Sequence, residues 1–276
     1  MNKAAELLQR LEQRRFDPNY TPPEDHAALK IRDKIVGSLG SFVVFSGLPK
    51  AGKTTYISAL LASALNPNFP YFQINVNLPR DRRQVAYFDT EASPFDHYRT
   101  MKRVQRQAGL MGHPERLDSF QLRQDDHNTI KKYIDLYLEH NKECSLLIID
   151  GLLDLCLNYN DEAECKQLIQ FLKRITAVYN VLIICVLHLG KKDKETLGHL
   201  GSSTDRYAQS TITIEKDREH KVYNMIARFM RSDEEFEPVA IQNFGGVFHE
   251  TEYIKPEKFD FKTATKGTKK GPAASK

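Results

Sequence analysis

No stretch of this sequence approaches the roughly 18 consecutive apolar residues of a membrane-spanning helix, so a helical membrane protein is excluded. The opening residues, Met1-Asn2-Lys3-Ala4-Ala5-Glu6, have no apolar core of the kind a signal peptide carries, which points to the cytoplasm. The four cysteines, Cys144, Cys156, Cys165 and Cys185, form no C-x-x-C pair. Cys144 and Cys185 lie in or beside apolar runs, as buried free thiols in a reducing compartment would, rather than disulfides or metal ligands. There is no internal repeat, zinc finger, helix-turn-helix or aromatic RNA-binding signature. Strong basicity is also missing from the body of the chain. Residues 255–276 carry seven lysines against Glu257 and Asp260, or +5, while the whole chain is only +4. The rest is therefore about −1, and overall charge says nothing of a nucleic-acid surface on it.

What is present is ordinary for a soluble globular chain, 41% hydrophobic and 28% charged over 276 residues. One stretch stands out. Phe42-Val43-Val44-Phe45 reads as a buried strand and breaks at Ser46-Gly47. Gly47, Leu48, Pro49, Lys50, Ala51, Gly52, Lys53 and Thr54 then spell G-x-x-x-x-G-K-T, followed by Thr55 and an apolar segment to Leu65 without Pro or Gly. Strand, loop and helix in that order are the context a phosphate loop requires. The two glycines let backbone N–H groups wrap an anion, and the positive end of the following helix adds charge of the right sign. Lys53 is expected on the β- and γ-phosphates of ATP and the Thr54 hydroxyl on magnesium.

Read in order, residues 3–16 place Leu7, Leu8 and Leu11 on one helical face, and the prolines near Asp17 to Pro23 break the chain. This helix either packs on its own domain or docks on a neighbouring subunit. Residues 29–36 suggest a short strand pair, and Asn66 to Arg83 a polar connection. Gln84 to Phe88 is a second strand, ending in Asp89 and Glu91. Ser93-Pro94-Phe95-Asp96 is a helix start, with Ser as cap and Pro at the first position, and the helix should run to Gly109. Ile130, Tyr133, Ile134, Tyr137 and Leu138 define an amphipathic helix over 127–141. Ser145 to Ile149 is an apolar strand ending in Asp150. Another helix follows over 161–179, then the strand Val181 to Leu187, ended by His188. Alternating helices and doubly buried strands predict a mostly parallel sheet covered on both faces. Short strands after Ser210 suggest antiparallel hairpins at one edge. Three segments are expected: a helical arm and linker over 1–28, an ATPase domain over 29–254, and a basic, disordered tail over 255–276.

Ligands of such sheets lie at the carboxyl ends of the strands. Asp150 sits where a magnesium-coordinating acid would, although an Asp capping the next turn gives the same pattern. Asp89 and Glu91 end the strand after the loop helix, where a carboxylate could polarise an attacking water.

Tyr87-Phe88-Asp89-Thr90-Glu91, placed between the phosphate loop and the Asp150 strand, resembles the corresponding segment of RecA-like P-loop ATPases. That resemblance implies that Glu91 is the catalytic base and that His188 senses the γ-phosphate. The residue after Asp150 is Gly151, so no acid fills the alternative place used by other P-loop proteins. With Gly201-Ser202-Ser203, the pattern looks most like the hexameric helicases of the RepA and DnaB branch, over residues 40 to about 245. The resemblance implies an ATP- and magnesium-dependent motor on DNA, single-stranded by preference, and a homo-oligomer with a hexamer as the candidate ring. It also implies a mobile loop over 188–201 whose Lys191, Lys192 and Lys194 hold the DNA backbone, though a solvated loop balanced by Asp193 and Glu195 has the same composition. DnaB-type helicases carry Lys-x-Arg on a late strand as a finger into the next subunit. Here Arg228 and Arg231 are three apart, which on a regular strand sets them on opposite faces, and a bulge or early strand end would remove that objection. Arg231 is the first choice, with Arg228 and Arg206 as rivals. The chain is too short to carry the extra N-terminal domain of larger replicative helicases. That leaves an ATP-switched DNA-binding or assembly factor for replication, recombination or transposition as the alternative, with a P-loop small-molecule kinase third.

Overall fold

The computed structural model describes residues 3–68, 71–112, 114–189, 198–244 and 247–253. After the leading helix α1 (Lys3–Glu12) come β1 (Ala27–Ile31), β2 (Lys34–Ser38), β3 (Phe42–Gly47) and α2 (Lys53–Leu65). Then follow β4 (Ile74–Val76), β5 (Gln84–Asp89), α3 (Pro94–Gln107), β6 (Leu117–Gln121) and α4 (His127–His140). The central part closes with β7 (Cys144–Asp150), α5 (Glu162–Tyr179), β8 (Leu182–His188) and α6 (Gly198–Tyr207). The last strands are β9 (Ser210–Asp217), β10 (Val222–Met230), β11 (Val239–Phe244) and β12 (Val247–Thr251).

Nine strands form one sheet in the order β12-β11-β10-β9-β3-β8-β7-β5-β6. From β9 to β6 all neighbours are parallel, and β9 to β12 pair antiparallel, as the sequence pattern predicts. Alternation along the strands builds two cores. Val43, Phe45, Tyr87 and Ile148 face the side covered by α2, while Phe42, Val44, Phe88 and Ile149 face the side of α4 and α5. The loop helix α2 is apolar almost all round and buries every residue except Thr54. Its Tyr56 hydroxyl lies 2.8 Å from the Tyr223 carbonyl oxygen and 2.9 Å from that of Val239, tying the loop helix to the antiparallel edge.

Four local expectations need correction. The connection from Asn66 to Arg83 contains a strand, β4, which pairs with β1 to make a separate three-stranded sheet, β2-β1-β4. Three residues are too few for a periodicity to show. Second, residues 198–201 belong to α6 rather than a loop, because the helix starts ahead of the Gly-Ser-Ser motif. Third, α1 buries nothing. Leu7, Leu8 and Leu11 are 59%, 62% and 64% exposed, so their stripe packs on none of the described residues, which disfavours the first of its two expected roles. Fourth, β10 has a bulge between Ala227 and Phe229, which removes the strict alternation expected of Arg228 and Arg231.

The amino-terminal end of the sheet is fastened by one side chain. Arg82 donates to the carbonyls of Lys142, Cys144, Tyr179 and Asn180 at 2.8–3.2 Å, thereby capping the carboxyl end of α5. A cation there also meets the negative end of the helix, and only a guanidinium fork offers enough donors. Arg82→Ala is therefore expected to lower stability by about 2 kcal/mol in denaturant titration, with Arg82→Lys recovering only a minor part.

Candidate nucleotide site

The loop between β3 and α2 is shaped by contacts that exclude side chains. A Cβ on Gly47 would stand 2.5 Å from the Ile214 carbonyl oxygen on β9. Gly52 has φ +97°, and a Cβ there would stand 2.4 Å from the Tyr223 ring. Lys53 opens α2 and folds back over the loop. Its ammonium donates to the carbonyls of Gly47 at 2.9 Å and Leu48 at 3.1 Å, and to His188 Nδ1 at 3.1 Å. Burial holds Lys53 below the ordinary lysine range, against the pull of Glu91 and Asp150. The Thr54 hydroxyl has no hydrogen-bond partner among the described residues.

His188 ends β8 directly beside Gly47, its partner in the parallel register. Its Nδ1 accepts from Lys53, so the ring proton sits on Nε2, which lies 2.9 and 3.0 Å from the two carboxylate oxygens of Glu91. One chain of hydrogen bonds thus joins Lys53, His188 and Glu91. Asp150 lies level with Asp89 on the neighbouring strand and accepts from the Tyr87 hydroxyl at 2.7 Å. Burial, reinforced by Asp89 and Glu91, pushes Asp150 up to about 6, although the Tyr87 bond opposes it. Gly151 has φ +116°, and a Cβ there would collide with Thr90 Oγ1. A side chain next to Asp150 is thus sterically disfavoured, and Glu91 is among the acids that line the cleft.

These groups line a cleft of about 450 Å³ together with Arg99 and Arg103 of α3. The two arginines escaped the sequence reading, although i, i+4 spacing on a helix starting beside Glu91 was the available signal. Arg99 is held by Asp96 at 3.8 Å and packs over Phe95. Arg103 is partly buried and makes no hydrogen bond or ion pair among the described residues; burial, Arg99 and Arg106 all lower its pKa. Asp89, by contrast, is 2% exposed and does not line the cleft.

The oxygen donors Thr54 and Asp150 suit a hard divalent cation. Glu91 and Asp150 line the cleft beside Lys53, so two carboxylates face its one buried ammonium. The site therefore fits magnesium. Lys191, Lys192 and Lys194 lie outside the described residues. Arg206 is exposed on α6, Arg228 pairs with Asp205 at 3.5 Å, and Arg231 is exposed just beyond β10. Gly47 pairs with Ile214, and Ile214 with Met225, whereas Met230 pairs with Ser210 near the start of β3. Counted past the bulge, Arg231 is thus five pairing steps, about 17 Å, along the strand from the level of the phosphate loop. The structure does not bring it to this chain's own cleft.

The parallel sheet, the glycine-bound loop and the acids at neighbouring strand ends define a RecA-like P-loop ATPase. Residues 24–194 match the AAA domain family, and the chain belongs to that family. No curated protein matches it. Among solved structures, it is similar to a KaiC-like protein from the hyperthermophilic archaeon Pyrococcus horikoshii OT3. Identity there is 14% and the TM-score 0.52, covering 78% of this chain and 91% of that one. It is also similar to the RadB recombinase, at 17% identity and a TM-score of 0.51, covering 77% and 91%. At such identities the likeness carries the fold alone.

An unpaired guanidinium in a phosphate cleft should read phosphate charge. Arg103→Gln is expected to weaken ATP about tenfold and to leave adenosine unchanged, as measured by calorimetric titration.

Proposed function

We propose that this ATPase is an oligomeric DNA motor, a helicase or translocase of the RepA and DnaB type, in which Glu91 activates the attacking water. The observation that carries this reading is the chain Lys53–His188–Glu91. It links the group that would meet the γ-phosphate to the acid that would take the water's proton. A phosphate oxygen that recruits Lys53 removes a donor from His188 Nδ1, and His188 passes the change to Glu91 through Nε2. Thr54 and Asp150 would hold magnesium, which when bound neutralises charge developing on the phosphates. Residues 29–254 form the ATPase domain, flanked by the arm over 1–28 and the tail over 255–276, and the protein works in the cytoplasm.

Two observations support assembly as a ring, with six copies proposed. The apolar stripe of α1 has no cover among the described residues of its own chain. Arg231 stands at the wrong end of its own sheet to serve its own nucleotide, so as a finger it must act in trans. DNA contact rests on Lys191, Lys192 and Lys194, which supply positive charge after the His188 strand and need read no bases. Arg99 and Arg103 would also suit phosphoryl transfer to a small acceptor, a second reading in which ATP turns over only when that acceptor is present.

The test is ATP hydrolysis with and without single-stranded DNA. Wild-type protein should release phosphate faster with DNA, and replacing the three lysines by Ala should abolish the response while deletion of 262–276 spares it. Glu91→Gln should bind ATP normally and turn over at least a hundredfold more slowly. Wild-type turnover by that variant would remove Glu91 as the base. A rate indifferent to DNA would remove the motor.

Mixing tests the finger. Arg231→Ala and Glu91→Gln proteins, each inactive alone, should regain part of the wild-type rate together, because some interfaces then pair an intact Glu91 with an intact Arg231. If the mixture stays inactive and native mass in ATP and DNA is that of a monomer, the ring is excluded.

A further inference from the structure

Asp89 is the strand-end acid that the nucleotide cleft leaves unused, and its surroundings are fully built. Its Oδ1 accepts the backbone N–H of Ala92 at 2.9 Å and that of Glu91 at 3.2 Å. Its Oδ2 lies 2.9 Å from His97 Nδ1, one turn into α3. On the far side of the ring, His97 Nε2 lies 2.7 Å from Ser119 Oγ on β6. A buried carboxylate that already accepts two amides needs a donor, so Nδ1 carries the ring proton and Nε2 accepts from the Ser119 hydroxyl. The ring also stacks on Tyr87 at 5.7 Å and 14°, and the Tyr87 hydroxyl donates to Asp150.

Serine, histidine and carboxylate are connected here in the order a nucleophilic triad uses. Neither Ser119 nor His97 lines the nucleotide cleft, however, and a nucleophile without access to substrate performs no acyl chemistry. What the arrangement does control is backbone. Glu91 stands on irregular chain between β5 and α3, with 42% of its side chain exposed. Two devices fix the direction of its Cα: the Thr90 N–H bond to the Asp150 carbonyl, and the amide bonds to Asp89.

We propose that Asp89 and His97 are a positioning pair for Glu91: His97 orients the buried carboxylate, and the carboxylate clamps the turn that aims the acid. This rests on the hydrolytic reading given above. Without the Nδ1–H donor, Asp89 is free to rotate off the two amides, and the Glu91 carboxylate moves relative to the cleft. Displacement on the order of 1 Å lowers such a rate by up to about a hundredfold without any change in ground-state binding.

The experiment compares His97→Leu, His97→Asn and Ser119→Ala by three readouts: kcat, ATP affinity, and hydrogen exchange of the Glu91 and Ala92 amides. Leucine keeps apolar bulk against Tyr87 and removes the donor, whereas asparagine sets an amide N–H close to where Nδ1–H stood. His97→Leu should hold ATP affinity within about twofold, lose roughly tenfold to a hundredfold in kcat, and exchange the two amides at least tenfold faster. His97→Asn and Ser119→Ala should each stay within about threefold of wild type on every measure. Wild-type exchange in His97→Leu would overturn the proposal. So would failure of Asn to recover what Leu loses at equal unfolding temperature. A wild-type protein that hydrolyses no ATP would sink the hydrolytic reading instead, and amide exchange would still decide whether the pair clamps the turn.

Discussion

A sheet covered on both faces leaves its central strands one place for charge, which is their ends. Phe42 to Phe45, Leu146 to Ile149 and Leu182 to Leu187 are buried residue by residue. An ionised group inside any of them would cost far more than the fold can supply. The parallel registers then decide which ends meet. Gly47 stands beside His188, Val186 beside Asp150, and Asp150 beside Asp89. With strands about 4.8 Å apart, the phosphate loop and the Asp89–Glu91 turn are separated by three strand spacings, about 14 Å. Long polar side chains span that gap. The hydrogen-bonded chain from Lys53 through His188 to Glu91 thus follows from strand order.

The same crowding sets the electrostatics. Burial drives Asp150 upward and Lys53 downward, so each group is moved toward its neutral form. Their mutual attraction only partly offsets this burial penalty, and Asp89 and Glu91 push Asp150 the same way as burial does. The cleft sets the carboxylates of Asp150 and Glu91 against positive charge along Lys53, Arg99 and Arg103. Under the proposed function, a magnesium ion would meet the first and the polyphosphate it carries the second.

Much of this was legible in the sequence because it rests on local signals. The apolar strands, the G-x-x-x-x-G-K-T loop, the Ser93 cap with Pro94 and the acids at strand ends are each written within a few residues, and the structure holds them where expected. What was missed depends on contacts distant in sequence. That β4 exists depends on pairing with β1, more than forty residues earlier. That a side chain at Gly151 would collide depends on Thr90, which follows the end of another strand. Arg99 and Arg103 face the cleft only because α3 leaves β5 at the angle its turn imposes, and helical spacing by itself does not reveal which face looks at the loop. The bulge at Arg228 belongs to the same class, since a register shift is a property of two strands.

The distribution of arginines bears on how turnover would be controlled under the proposed mechanism. Arg103 belongs to the same chain as the loop, so it can meet a phosphate whatever the assembly state. Arg231 lies just beyond β10, about 17 Å from the loop's level, and would complete a site only across an interface. Binding would then depend on one copy and fast turnover on two. That division makes hydrolysis conditional on assembly, because transition-state charge is met in full only when a neighbour is seated. An enzyme whose arginines all lay in cis would lack that condition, and would spend ATP whether or not it had a ring, or a strand within the ring, to act on.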